Sequence, residues 1–125
     1  MRSTAMRYMS LIRINEDNVP EGGPGPELME EMGKLIEEMT KAGVLLDTAG
    51  LRPTDEGTRL RWNRGELSVT DGPFTETKEF IGGYALIEAK SKDEAIEWTS
   101  RFLRIHGEAW DITCELRQVE GPDFD

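Results

Sequence analysis

Two segments of this chain carry apolar residues at helical spacing on one side only, and those two stripes constrain the fold more than any other feature. In the first, Leu28, Met29, Met32, Leu35, Ile36 and Met39 make one continuous stripe, the pattern of a helix that buries a single face. Glu27, Glu30, Glu31, Lys34, Glu37, Glu38 and Lys41 occupy the other side. Pro26 suits the first turn, and Gly43 stands where a left-handed C-terminal cap is wanted. The three methionines read as core filler, with a soft ligand pocket as the sharper alternative. In the second segment, Ser91-Lys92-Asp93-Glu94 forms a capping box. Ala95, Trp98, Thr99, Phe102, Leu103 and His106 follow in phase, and Gly107 ends the run.

The rest of the chain reads as strands. Residues 5–14 place Met6, Tyr8, Ser10 and Ile12 on one face and Arg7, Met9, Leu11 and Arg13 on the other. Both faces are partly apolar, which suits a central strand. Residues 15–25 form a polar loop rich in Pro and Gly, read as mobile or as a lid. Residues 44–54 begin as a strand and are ended by Pro53 and the turn at 55–57. "TRLRW" and "ELSVT" flank Asn63-Arg64-Gly65, which predicts a β-hairpin with a bulge. Residues 82–89 are a nearly continuous apolar strand, and 111–119 alternate Ile112, Cys114 and Leu116 against Thr113, Glu115 and Arg117. The order β–α–β–hairpin–β–α–β predicts an α+β sandwich of the ferredoxin-like kind, with two helices on one face of an antiparallel sheet. One domain spans 1–125, with 1–5 read as a flexible extension.

Two helices hide only one side of such a sheet. The strands at 5–14, 44–49 and 83–89 carry apolar side chains on both sides, and soluble monomers avoid large exposed apolar patches. A second copy of the chain is the economical cover, giving a homodimer in which two sheets face each other as a dimeric α+β barrel. The alternative is a monomer whose open face is made polar by Arg7, Arg13, Thr48, Arg59 and Arg61.

Composition narrows the partners. Fifteen Lys and Arg stand against 25 Asp and Glu, a net charge of −10. Phosphate-backbone binding runs on basic residues, so nucleic acid is not expected as a partner. One cysteine and one histidine make neither a disulfide framework nor a zinc site, and no metal or cofactor is expected. No stretch approaches the ~18 apolar residues of a membrane span, and no secretory signal is recognised at the start. A cytoplasmic protein without membrane contact is the expectation.

The stretch "TDGPFTETKEFIGGY" joins two of the strands. Together with the flanking "LSV" and the continuation "ALIEAKSKDEAIEW", it resembles the DGPF group of the YCII-related (YciI-like) family, in which "DGPF", "ETKE" and "GGY" recur at this spacing. The likeness runs from "MRYMSLIR" through "KAGVLLDTAGLRPT" to "CELRQV". It implies a ferredoxin-like fold and a dimeric α+β barrel. Some relatives resemble small-molecule lyases or dehalogenase-like enzymes that use a His–Asp pair, and others are associated with extracytoplasmic-function sigma factors. In the YciI-like enzymes the histidine sits in the first helix, about three turns before its terminal glycine. Counting back from Gly43 reaches Met32, and residues 26–42 hold no histidine, so that general base is absent.

The candidate residues follow from these readings. Asp71 either accepts backbone N–H groups in its own turn or serves as a pocket carboxylate at the end of the strand 66–70. Asp47, acidic in an otherwise apolar "VLLD" run, is the other candidate catalytic carboxylate, with a strand-end surface acid as the plain reading. Asp71, Gly72, Pro73, Lys78, Tyr84 and Tyr8 make the expected ligand-binding set, the tyrosines as pocket walls with polar tips. Phe74 reads as a core or interface anchor, and Glu76, Lys78 and Glu79 as a solvated run or a charge cluster beside the pocket. Gly82-Gly83 permits close approach of a backbone, read as the partner chain's. His106 reads as a satisfied histidine at a helix end. The expected function is a small-molecule-binding dimer with an accessory or regulatory role. The alternatives are a lyase- or isomerase-like enzyme using carboxylates, and an interaction module docking a basic partner on Glu30, Glu31, Glu37 and Glu38.

Overall fold

The computed structural model describes residues 5–73 and 79–120. Strand β1 (Met6–Asn15) is followed by helix α1 (Pro26–Lys41), β2 (Leu45–Gly50), β3 (Thr58–Asn63), β4 (Glu66–Asp71), β5 (Glu79–Ala89), α2 (Lys92–Arg104) and β6 (Ile112–Gln118). Four strands form one antiparallel sheet in the order β2-β5-β1-β6, and β3 and β4 form a separate two-stranded sheet. The long strands β1 and β5 are central, as their apolar character on both faces requires.

Both helices end as their sequences dictate. Gly43 takes φ +73, so its N–H bonds Thr40 O at 3.1 Å and the Val44 N–H bonds Met39 O at 2.9 Å. That pair of bonds is the Schellman termination, which a residue in the left-handed region allows. At the start of α2 the Ser91 hydroxyl accepts the Glu94 N–H at 3.1 Å. The Glu94 carboxylate reaches back one residue further than a capping box requires, accepting the Lys90 N–H at 2.7 Å.

The two helices lie on the sheet face that carries Tyr8, Ser10 and Ile87. Tyr8, Leu35, Met39, Val44, Ile87, Ala89 and Ala95 form the buried core. Trp98, Phe102, Ile105 and Leu116 pack against it. The helices are tied to each other at the surface, where the Arg101 guanidinium donates twice to Glu38, once at 3.0 Å. Arg101 also lies 4.9 Å over the Trp98 ring. The Arg101 hydrogen bonds hold the Glu38 carboxyl below its ordinary value. That contribution is therefore present above the ordinary carboxylate range and is lost as pH falls through the lowered value.

The polar loop after β1 begins with a short 3-10 helix, Glu16–Asn18. Asn15 and Asn18 both donate to the Asp111 carboxylate, at 3.5 and 3.2 Å, which anchors the loop entrance beside the start of β6.

Two local features differ from the sequence reading. The hairpin has no bulge: Asn63 pairs with Glu66, and Arg64 and Gly65 both take positive φ, 52 and 81. This is a two-residue connection whose backbone matches the twist of its strands. The irregularities lie in the large sheet instead, at Ile12/Arg13 opposite β5 and at Leu45/Asp47 opposite the same strand. Gly82 and Gly83 are closely approached by their own chain. A side chain at Gly82 would strike Ile14, and one at Gly83 would sit 2.8 Å from the Ala49 carbonyl oxygen.

Candidate functional site

The face of the sheet away from the helices is built from two cross-strand rows. One runs Ala49, Tyr84, Leu11, Glu115, and the next Asp47, Leu86, Met9, Arg117. Met9, Leu11, Tyr84 and Leu86 are half-buried, and Ile81 is 39% exposed opposite Arg13. The charges flanking this apolar band are already paired: Arg7 with Glu88 at 3.5 Å and Arg13 with Glu115 at 3.7 Å. Of the five residues that would make the face polar in a monomer, only Arg7 and Arg13 lie on it. Thr48 points to the helix side, where its hydroxyl donates to the Tyr84 carbonyl at 2.9 Å. Arg59 and Arg61 belong to the hairpin.

Two of the candidate residues meet on this face. The Tyr84 hydroxyl donates to Asp47 Oδ2 at 2.9 Å, from β5 diagonally to the edge strand β2. The bulge at Leu45/Asp47 makes this possible, because it turns Asp47 onto the open face while Leu45 stays on the helix side. The bond to Asp47 pushes the Tyr84 phenol above its ordinary value of 10.0, with the negative charge of Asp47 acting in the same direction.

A titration follows from this contact. Ultraviolet difference spectra will show the Tyr84 phenol ionising above the ordinary range. Asp47→Asn will bring that transition down. Because the folded value is raised, the contact contributes in full below the unfolded value and is lost as pH rises through the folded one. A Tyr84 transition unmoved by Asp47→Asn would contradict the contact.

Other expected site residues are not brought to this face. Tyr8 is buried in the core on the opposite side of the sheet, so it does not share a wall with Tyr84. Asp71 stands in the hairpin sheet, exposed, accepting the Thr58 hydroxyl at 3.1 Å from the facing strand. Gly72 lies against the Thr54 carbonyl, where any side chain would collide, and its N–H bonds Gly57 O at 2.9 Å. The Asp71-Gly72-Pro73 turn thus locks the base of the hairpin, a structural use of the motif. Phe74, Glu76 and Lys78 lie outside the described residues, as does the side chain of Glu79.

Met32, where the resemblance places a histidine, lines a cavity of about 50 Å³ between the helices and the sheet. Ser10, Ile12, Met39, Trp98 and Phe102 are among its other walls, and no titratable group is among the lining residues. An apolar cavity that takes benzene is roughly 150 Å³, so this one is packing space; Met39 and Met32 fill the core side of the stripe, whereas Met29 is 57% exposed and is not core filler. His106 is satisfied: its Nδ1 donates to the Phe102 carbonyl at 2.9 Å, and its ring lies edge-on to Phe102 and Trp110. Burial pushes the Cys114 thiol up, partly offset by a hydrogen bond with Ser10. Among the described residues, no three His, Cys, Asp or Glu side chains are grouped to hold a metal ion, and no helix is long and apolar enough to cross a membrane.

The sequence singled out both Tyr84 and Asp47 but gave no sign that they touch. The displaced register in β2 was the missing information. An acidic residue breaking an apolar strand run was the one legible signal.

An uncharacterized protein of Rhizobium meliloti (strain 1021) is 39% identical over 71 residues, which is 57% of this chain and 57% of that relative. The chain thus aligns with little more than half the length of that relative. The family model described as the YCII-related domain matches residues 6–105, a span that takes in β1 through α2, and the chain belongs to that family.

Proposed function

We propose that this protein is a homodimer that binds a small molecule on the open face of a ferredoxin-like sheet, between two protomers arranged as a dimeric α+β barrel. The observation that carries this reading is the Tyr84–Asp47 hydrogen bond on an apolar sheet face that the helices leave uncovered. A polar pair fixed in an apolar band is how small-molecule sites obtain orientation and specificity. Asp47 keeps acceptor capacity after taking the Tyr84 hydroxyl. The fitting ligand therefore has a compact apolar body and an O–H or N–H donor, as a small phenol or hydroxy-keto compound does.

Binding without turnover is favoured over catalysis. The first helix supplies no histidine, and Met32 occupies an apolar cavity on the other side of the sheet. Asp47 holds the Tyr84 phenol in its protonated form, so the phenol is a poor general base at neutral pH.

A thermal-shift screen of small phenols, alcohols and keto compounds tests the reading. A ligand at about 100 times its dissociation constant adds roughly 2.7 kcal/mol of stability. The shift seen with the wild type should vanish in Asp47→Asn and shrink in Tyr84→Phe. A shift retained in full by Asp47→Asn, or chemical conversion of the bound compound, would overturn it.

A further inference from the structure

We propose that the β3–β4 hairpin is an arm that reaches a second copy of this chain and lays its apolar face over that copy's open sheet beside Asp47 and Tyr84. Each ligand site is then closed by the partner's arm. The inference rests on the dimer proposed above and adds which element completes the site.

The hairpin sorts its side chains by face. Leu60 faces Val69 and Trp62 faces Leu67, placing all four on one side, while Arg59 pairs with Thr70 and Arg61 with Ser68 on the other. Leu60 is 63% exposed, Trp62 71%, Leu67 58% and Val69 60%. A two-stranded ribbon is marginal in water by itself, so a ribbon with such a face has a cover. Among the described residues the ribbon's own domain does not supply it, since these four side chains stay open there. The base is fixed, because Gly72 is pressed against Thr54 and bonded to Gly57. Strands of six residues carry the tip roughly 20 Å outward.

Charge and area select a second copy as the occupant. Between residues 58 and 71, Arg59, Arg61 and Arg64 outnumber Glu66 and Asp71, in a chain of net charge −10. Three arginines less two acids leave the arm at +1, so laying it on a second acidic protomer meets no net like-charge repulsion. The open sheet face is suited to receive it: its apolar band is flanked by ion pairs already made, Arg7–Glu88 and Arg13–Glu115, and the Asp47 carboxylate on it already accepts the Tyr84 hydroxyl. A stable interface engages roughly 20–30 residues a side. Four side chains on a ribbon fall short of that alone, and a two-fold axis adds the sheet face to the arm in each half of the interface.

Cross-linking between chains tests the arm. In a Cys114→Ser background, one chain carries Trp62→Cys and a second, separately tagged, carries Leu86→Cys. The two are mixed, allowed to exchange, and treated with a short bismaleimide, with sedimentation run in parallel. The expected result is a covalent dimer joining position 62 of one chain to position 86 of the other, lost when position 62 keeps tryptophan. A species of dimer mass with no such product, or with position 62 linked to itself, overturns the arm and leaves the dimer standing. Sedimentation at the protomer mass removes the dimer and the arm together. Far-UV circular dichroism checks folding, and Leu67→Cys with Met9→Cys replaces the first pair if either variant has lost helix.

Discussion

Ile87→Ala will cost about 2–5 kcal/mol, the range for truncating a buried isoleucine or leucine. Ile87 is 1% exposed and is the largest side chain buried so completely. It lies near the C-terminal end of β5, paired with Tyr8 on one side and Leu45 on the other. Its neighbours are held by two helices with fixed ends, so the site has little freedom to collapse into the space left. Against a total stability of roughly 5–15 kcal/mol for a domain, that loss is a large share. Urea unfolding at one fixed protein concentration will show a lower midpoint with an unchanged slope. A shift worth less than about 1 kcal/mol would mean that the helix-side core is not organised around this strand.

The neighbouring residue should behave in the opposite way. Leu86→Glu will leave the protomer folded and weaken its association, because successive strand side chains point to opposite faces. Leu86 lies between Met9 and Asp47 on the open face. Glutamate there would enter the proposed interface as a charge without a counter-ion, beside the Asp47 carboxylate. Such a group costs several kcal/mol to desolvate. At about 1.4 kcal/mol per factor of ten, the dimer dissociation constant should rise roughly a hundred-fold or more. Sedimentation equilibrium reads the change directly, and circular dichroism should show unchanged helix. Wild-type association in Leu86→Glu would place the contact elsewhere. The two variants, one residue apart, separate what holds the protomer together from what joins it to a partner.

Much of this was legible in the chain, and the parts that were not share a cause. Gly43, Gly107 and Ser91 announced the helix ends because capping is local chemistry, settled by a few neighbouring residues. The stripe from Leu28 to Met39 foretold a helix packed on one side, and Leu35 and Met39 are indeed its buried residues. Register was not legible. The pairing of Gly83 with both Ile12 and Gly50 depends on irregularities in two strand pairs, and no local signal in residues 12–13 or 45–47 fixes where they fall. Those irregularities decide which backbone approaches Gly82 and Gly83 and which residues share the face of Tyr84. For the same reason Tyr8 and Tyr84 looked equivalent in sequence and lie on opposite sides of the sheet. The turn at Asp71 was also prominent in the sequence. The turn is distinctive because Gly72 must clear the Thr54 carbonyl, and Asp71 serves that hairpin base by accepting from Thr58.

The stake common to the ligand site, the arm and the Leu86 variant is that a twin subunit lies on the bare side of β1 and β5. Sedimentation equilibrium of the wild-type chain over a wide concentration range examines it most directly. A species of twice the protomer mass that persists on dilution, and falls to the protomer in Leu86→Glu, is the expected result. A wild-type chain at the protomer mass throughout would contradict it.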